Sequence, residues 1–151
     1  MKRTLVFLLL NFSALALGSY LMGEGPTGPW YASLNKAPWT PPGWVFGAAW
    51  TTIMIAFAFF MSTWQGTSTR PKRVTLLYAV HLVLNISWNP LFFNLNWLAI
   101  ALVEILLLLA LVIYIGLLGK KESGQISLLV LPYIAWLSIA STLNAYALLY
   151  N

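Results

Sequence analysis

Residues Trp97–Leu118 read WLAIALVEILLLLALVIYIGLL, with Glu104 the only charged side chain among them. A helix needs about 20 mostly apolar residues to cross the hydrocarbon core of a bilayer, and this stretch is long enough. The other backbone arrangement that satisfies itself in lipid is a closed β-barrel, whose strands alternate apolar and polar over about ten residues. Ile105–Val112 (ILLLLALV) has no period of two, so the stretch reads as a membrane helix. The composition agrees. The chain has 151 residues, 60% hydrophobic and 7% charged, against about 45–50% and about 25% in a soluble domain. So few charges cannot coat a water-soluble globule, and a chain this rich in apolar and aromatic residues is not a disordered one. Cysteine is absent, and one histidine with three acids leaves no material for a thiolate or histidine-rich metal site, a cysteine nucleophile or a catalytic carboxylate pair. No metal is expected.

Working outward, the apolar run from Val74 to Leu118 is too long for one crossing, and the asparagines around Leu95 place a turn at Asn94–Asn96. Gly, Pro and charged residues mark further breaks at Gly23–Pro42, Gln65–Lys72 and Gly119–Gly124. The expected fold is therefore an all-α membrane protein, a five-transmembrane-helix bundle forming a single integral membrane domain over 1–151. Its spans run at about 4–22, 43–64, 74–94, 97–118 and 126–150, with a long loop at 23–42. Lys2 and Arg3 ahead of an apolar stretch ending in Ala16-Leu17-Gly18 also have the layout of a cleavable signal peptide; the expectation taken is a retained first span. Five spans put Lys2, Arg3, Arg70, Lys72, Arg73, Lys120 and Lys121 on one face and only Lys36 on the other. Basic residues in short loops stay inside, so the N-terminus is expected in the cytoplasm and the 23–42 loop on the opposite face. The net charge of +5 is then a topology signal. No phosphate-binding loop or nucleic-acid motif accompanies it, and no nucleic-acid partner is expected.

Polar side chains inside a span are costly and therefore informative. His81, Asn85, Trp88, Asn89 and Phe92 recur at spacings that share one face of the third span, and Tyr133, Trp136, Ala140, Ser141 and Asn144 make a similar stripe on the fifth. Trp50, Met54 and Phe57 do so on the second. At 1.5 Å per residue, Trp50 lies about 10 Å, Asn85 and Ala140 about 15 Å and Trp136 roughly 20 Å below the face carrying the long loop. They converge in one half of the membrane. The loop above carries Trp30, Tyr31 and Trp39 and reads as a lid on a cavity. Trp44, Trp64 and Trp97, near span ends, read as interfacial anchors, and Pro90 and Pro132 as kinks. Asn85 reads equally as interhelical glue and as a ligand contact, whereas Asn144 reads as glue. For His81 a hydrogen-bonded structural role stands beside that of a haem axial ligand. Glu104 is the one acid within a span; no cation lies at its depth, so it reads as protonated or bonded to a neighbouring helix.

Three motifs resemble a known family. Trp30-Tyr31-Ala32-Ser33-Leu34-Asn35-Lys36-Ala37-Pro38-Trp39-Thr40-Pro41-Pro42, continuing as Trp44-Val45-Phe46-Gly47-Ala48-Ala49-Trp50, is similar to the first loop and second-span entry of the translocator protein family, the tryptophan-rich sensory or peripheral-type benzodiazepine receptor proteins. Leu84-Asn85-Ile86-Ser87-Trp88-Asn89-Pro90-Leu91-Phe92-Phe93 resembles its third-span motif, and Leu131-Pro132-Tyr133-Ile134-Ala135-Trp136 with Ala140 and Leu143-Asn144 its fifth. The resemblance spans the chain in order. Departures are His81 where Gln is common, Asn89 where Ser or Pro is usual, Glu104 for a frequent Asp, and Thr51-Thr52-Ile53-Met54 after Trp50.

The resemblance implies a homodimeric five-helix bundle that binds protoporphyrin IX and related haem-type tetrapyrroles, and benzodiazepine- or isoquinoline-type compounds, under the first loop. Trp50, Asn85 and Trp136 fall on the family's pocket positions with Ala140 beside them, and together with the loop and stripe residues the expected ligand-binding set is Trp30, Trp39, Trp50, Asn85, Trp88, Asn89, Trp136 and Ala140. Porphyrin enters as ligand, with no required cofactor. Tyr146 is followed by no Lys or Arg, so a sterol partner is not expected. The leading expectation is a membrane receptor or sensor regulating porphyrin or stress responses, with Trp50 and Trp136 stacking on the macrocycle, Trp39 and the loop closing over it and Lys36 pairing with a propionate. The alternatives are light-dependent porphyrin degradation, in which Trp50 and Trp136 would be the reacting residues, a porphyrin or lipid transporter, and a structural dimer using the small-residue spacings Ala14/Gly18 and Gly43/Gly47.

Overall fold

The computed structural model describes residues Met1–Asn151, which fold into helices without a strand. Helix α1 covers Lys2–Leu21, the short α2 Pro29–Ser33, α3 Gly43–Thr67, α4 Pro71–Asn89, α5 Leu98–Ser123 and α6 Leu131–Tyr150. By length and hydropathy, Lys2–Thr27, Gly43–Thr67, Pro71–Asn94 and Leu98–Tyr150 are each able to cross a membrane. The last is 53 residues long, which at 1.5 Å per residue would be roughly 80 Å of straight helix, far beyond a hydrocarbon core of about 30 Å. It folds back instead. A 3₁₀ segment at Gly124–Val130 reverses the chain, and α5 and α6 pack along each other more extensively than any other pair. Five long helices result, and the chain is a multi-pass integral membrane protein.

Neighbouring lipid is as apolar as the protein interior, so packing and polar links hold such a bundle together more than the hydrophobic effect does. The packing centre is the α3 row Phe57, Phe60, Met61 and Trp64 against Val112 and Ile115 of α5 and Tyr133 and Leu137 of α6. Gly119 lets α5 come close here: a Cβ at this position would stand 2.4 Å from Phe60 ring carbons. Polar links cross the helices. Asn11 of α1 donates to the Met54 carbonyl of α3 at 2.8 Å and accepts from Tyr78 Oη of α4 at 2.6 Å. Asn144 of α6 donates to the Leu98 carbonyl of α5 at 2.9 Å and accepts from Trp88 Nε1 of α4 at 3.2 Å, which is the glue its depth suggested.

The turns differ from expectation in several places. Helix α5 continues through the expected 119–124 loop to Ser123, with Lys120 and Lys121 in its last turn, where cations complement the helix dipole. The reversal then falls at Gly124, whose φ of 66° favours a residue without Cβ. Pro132 does not kink a span: it lies in the first turn of α6, where no backbone donor is needed. Pro90 instead ends α4 and opens a π-helical turn at Pro90–Asn94, and Asn96, with φ of 58°, completes the change of direction. Trp64 is not an interfacial anchor. It is 1% exposed, its indole donating to Glu122 Oε2 at 2.7 Å, whereas Trp44 and Trp97 are exposed as anchors should be.

Candidate ligand-binding site

Between α3, α4, α5 and α6, beneath the 23–42 loop, lie two small chambers that share the side chains of Phe46, Trp88 and Ala140. The deeper one is walled by Trp50, Trp136, Asn85, Ile105, Leu108 and Leu137 and holds about 40 Å³ of free volume. The one under the loop is walled by Tyr31, Leu34, Lys36, Phe92, Phe93, Leu143 and Asn144, among others, and holds about 60 Å³. Ala140 lines both.

The aromatic walls are fixed by edge-to-face packing. Trp136 meets Phe46 at 5.1 Å and 88°, and Trp50 meets Tyr133 at 5.9 Å and 73°. Trp88 stacks on Phe92 at 4.9 Å and 21°. Asn85 is the only polar side chain of the deeper chamber, but its amide nitrogen already donates to Tyr133 Oη at 2.6 Å. The same hydroxyl shares a 2.9 Å hydrogen bond with His81 Nε2. His81 is fully buried among Phe57, Tyr78 and Tyr133 and does not line either chamber, so it has the structural role and no free face for an axial ligand. Glu104 also lies away from the chambers; its carboxylate accepts from Ser87 of α4, a bond to a neighbouring helix.

The lid is tied down at both ends. On its N-terminal side Trp30 packs edge-on against Phe92 at 5.6 Å, Tyr31 against Phe93 at 5.5 Å, and Asn94 donates to the Leu21 carbonyl. On the other side the Asn35 amide donates to Asn151 Oδ1 at 2.7 Å, while Asn151 Nδ2 donates back to the Asn35 carbonyl at 3.3 Å. Lys36 turns its ammonium over the Tyr31 ring at 4.8 Å and donates to the Ala32 carbonyl at 3.3 Å. Burial pushes the Tyr31 phenol above its ordinary value of 10.0, so it stays neutral beside that ring of aromatics.

Of the sequence-derived site residues, Trp50, Asn85, Trp88, Trp136 and Ala140 line the chambers. Trp30 lies behind Phe92 as an anchor of the lid. Trp39 points to the outside of α6, half-exposed, where its indole donates to Thr142 Oγ1 at 3.1 Å and its ring meets Tyr146 edge-on at 5.4 Å. Asn89 faces α1: a Cβ on Gly18 would stand 2.6 Å from Asn89 Nδ2. Three residues outside that set matter. Tyr133 holds Asn85 and His81 together, Phe46 bridges the chambers, and Phe92 joins the wall to the lid. Tyr133 had the right spacing beside Trp136, and Phe46 lay one turn before Trp50; both signals were present.

A model of the TspO/MBR family matches residues 6–149. The chain is 35% identical over 129 residues to the translocator protein of Ovis aries, covering 83% of this chain and 75% of the relative. It is 34% identical over 122 residues to the tryptophan-rich protein TspO of Chlorobaculum tepidum, covering 79% and 77%. It is 35% identical over 124 residues to the tryptophan-rich protein TspO of Archaeoglobus fulgidus, covering 81% and 80%.

Proposed function

The chain belongs to the TspO/MBR family, whose membership supports a membrane sensor or receptor role, and from that premise we propose that its ligands are tetrapyrroles such as protoporphyrin IX and other flat hydrophobic molecules of benzodiazepine or isoquinoline type. They bind in the merged chambers under the 23–42 loop, and occupancy is what the protein reports in porphyrin or stress responses. The observation that carries the reading is the slot between Trp50 and Trp136, apolar except for Asn85, continuing past Ala140 to Lys36. Indole faces suit a planar aromatic ring, and Lys36, swung off Tyr31, would meet a propionate. Asn85 contributes a hydrogen bond only if it lets go of Tyr133. The protein acts as a homodimer, as the family resemblance of its motifs implies, with the basic end in the cytoplasm, which the charge asymmetry of the loops supports.

The free volumes of about 60 and 40 Å³ are far below the roughly 300–1,000 Å³ of a small-molecule site. Binding therefore requires the lid to lift and the two chambers to merge. Quenching of tryptophan fluorescence by protoporphyrin IX in the dark tests the reading. Saturable quenching, weakened by Trp50→Phe, Trp136→Phe or Asn85→Ala, supports it; quenching linear in porphyrin and equal in all variants would refute the site. A second reading, light-driven oxidation of bound porphyrin by dioxygen, draws on the contact of Trp50 with Tyr133, a phenol that shares a hydrogen bond with His81. Illumination of the same complex separates the two: loss of porphyrin that disappears in Trp50→Phe, with dark binding kept, would make the protein an enzyme.

A further inference from the structure

A third cavity lies at the opposite end of the bundle, where α1 meets the α3–α4 turn. It opens to the surface and offers about 610 Å³ of free volume, an order of magnitude more than either chamber under the lid. Its mouth carries Lys2 and Arg3, its outer wall the apolar side chains of Val6 and Leu10, and its far side Gln65 and Pro71. Val6 and Leu10 are exposed, as residues facing lipid tails are. The Arg3 guanidinium lies across Gly66, which has no side chain to obstruct it.

The lining of the cavity holds two cations and no acid. Of the three acids of the chain, Glu24 sits at the lid end and Glu104 receives Ser87; Glu122, which receives Trp64, stands next to the cleft beside Ser68, where Arg70 and Arg73 offset its charge. Two helices also begin here, α1 at Lys2 and α4 at Pro71, and neither N-terminus has a side-chain cap. Pro71 has no N–H and the Arg73 and Val74 amides donate to the Arg70 carbonyl, so what the α4 end adds to the two cations is the positive end of its dipole, and the start of α1 adds the same. The cations lie at the rim and the apolar wall runs from them toward the bilayer centre. That is the order of charge and hydrocarbon in a phospholipid.

We propose that this cleft is a binding site for one anionic phospholipid, its phosphodiester held by Lys2 and Arg3, and one acyl chain lying along Val6 and Leu10. The site shares no lining residue with the lid chambers. Basic pockets between membrane helices favour anionic headgroups by about 1 kcal/mol per nearby cation, so loss of one cation is expected to lower affinity about fivefold. Lipid retention by the purified full chain in detergent, read by native mass spectrometry, tests it with phosphatidylglycerol, phosphatidylcholine of the same acyl chains, and glycerophosphoglycerol as a chainless competitor. The expected result is one phosphatidylglycerol per protomer, retained several-fold over phosphatidylcholine and not displaced by millimolar glycerophosphoglycerol. Lys2→Gln and Arg3→Gln each reduce retention about fivefold, and Lys121→Gln, at the same end but outside the cleft, leaves it unchanged. Equal retention of the two lipids, no effect of Arg3→Gln, or an equal effect of Lys121→Gln would overturn the proposal. Full displacement by glycerophosphoglycerol would overturn it too, assigning the cleft to a free phosphodiester.

Discussion

Replacing Tyr133 with Phe removes one oxygen atom and leaves the ring in place. That oxygen accepts from Asn85 Nδ2 at 2.6 Å and shares a 2.9 Å hydrogen bond with His81 Nε2, and neither group has another side-chain partner. Both residues are buried. The other ring nitrogen of His81, Nδ1, is already without a partner. If the bonds behave like average interhelical bonds in membranes, at about 0.6 kcal/mol each, the loss is about 1.2 kcal/mol. If each orphaned group carries a full desolvation cost of about 1–3 kcal/mol, the loss is about 2–6 kcal/mol. The unfolded helices remain in a polar-poor environment where they find other partners, which favours the lower figure, so the expectation is a destabilisation of about 1–3 kcal/mol. Reversible unfolding in mixed micelles with increasing dodecyl sulfate measures it directly. Tyr114→Phe is the control, because that hydroxyl bonds only to Arg73 at the exposed basic end and should cost under about 0.5 kcal/mol. Equal stability of Tyr133→Phe and the parent chain would refute the view that this cluster fastens α6 to α4. A double-mutant cycle with Asn85→Ala should then show a coupling of about 0.5–1.7 kcal/mol.

Gly119→Ala should destabilise by about 1–3 kcal/mol, because its Cβ would meet a buried Phe60 ring at 2.4 Å. Gly47→Ala, with no atom within 4 Å of the new Cβ, should stabilise by about 0.5–1 kcal/mol in the same unfolding assay. Asn151→Ala removes the far tether of the lid, so protoporphyrin IX should associate and dissociate faster by a similar factor in stopped-flow quenching; unchanged rates would detach lid opening from this contact. Lys36→Gln should weaken protoporphyrin IX about two- to fivefold while leaving its dimethyl ester unaffected, since an exposed cation contributes at most about 1 kcal/mol. Tyr31 ionises above its ordinary value of 10.0 in the folded chain because it is buried. Its contribution to keeping the lid closed is therefore complete below about pH 10 and falls as pH rises toward the folded value. The porphyrin association rate should accordingly rise above that pH in stopped-flow quenching, and Tyr31→Phe should flatten that rise.

The spans were legible because hydropathy and length leave no freedom in lipid, and the depths of Trp50, Asn85, Trp136 and Ala140 followed from helical rise alone. These four meet in the deeper chamber. Direction around a helix was harder to read. Asn89 lies one position beyond Trp88, about 100° around the axis, enough to turn it toward α1, and the absence of a side chain at Gly18 is the matching signal on the other helix. Loop residues have no period at all, so Trp30 and Trp39 could be placed near the cavity but not pointed into or out of it. The closeness of Tyr133 to both His81 and Asn85 depends on the axial register of α4 against α6, which no residue pattern within either helix encodes.

The π-turn at Pro90–Asn94 ties three parts of the molecule to one covalent segment. Phe92 stacks on Trp88 in the wall, the same ring supports Trp30, Phe93 supports Tyr31, and Asn94 holds the end of α1. A turn wound more loosely than an α-helix is a compliant joint, while the helix below it is stiff. Lifting the lid therefore pulls on the top of α4 as on the short arm of a lever. The long arm of that lever reaches, through Asn85 and His81, down to Tyr78 and the basic end.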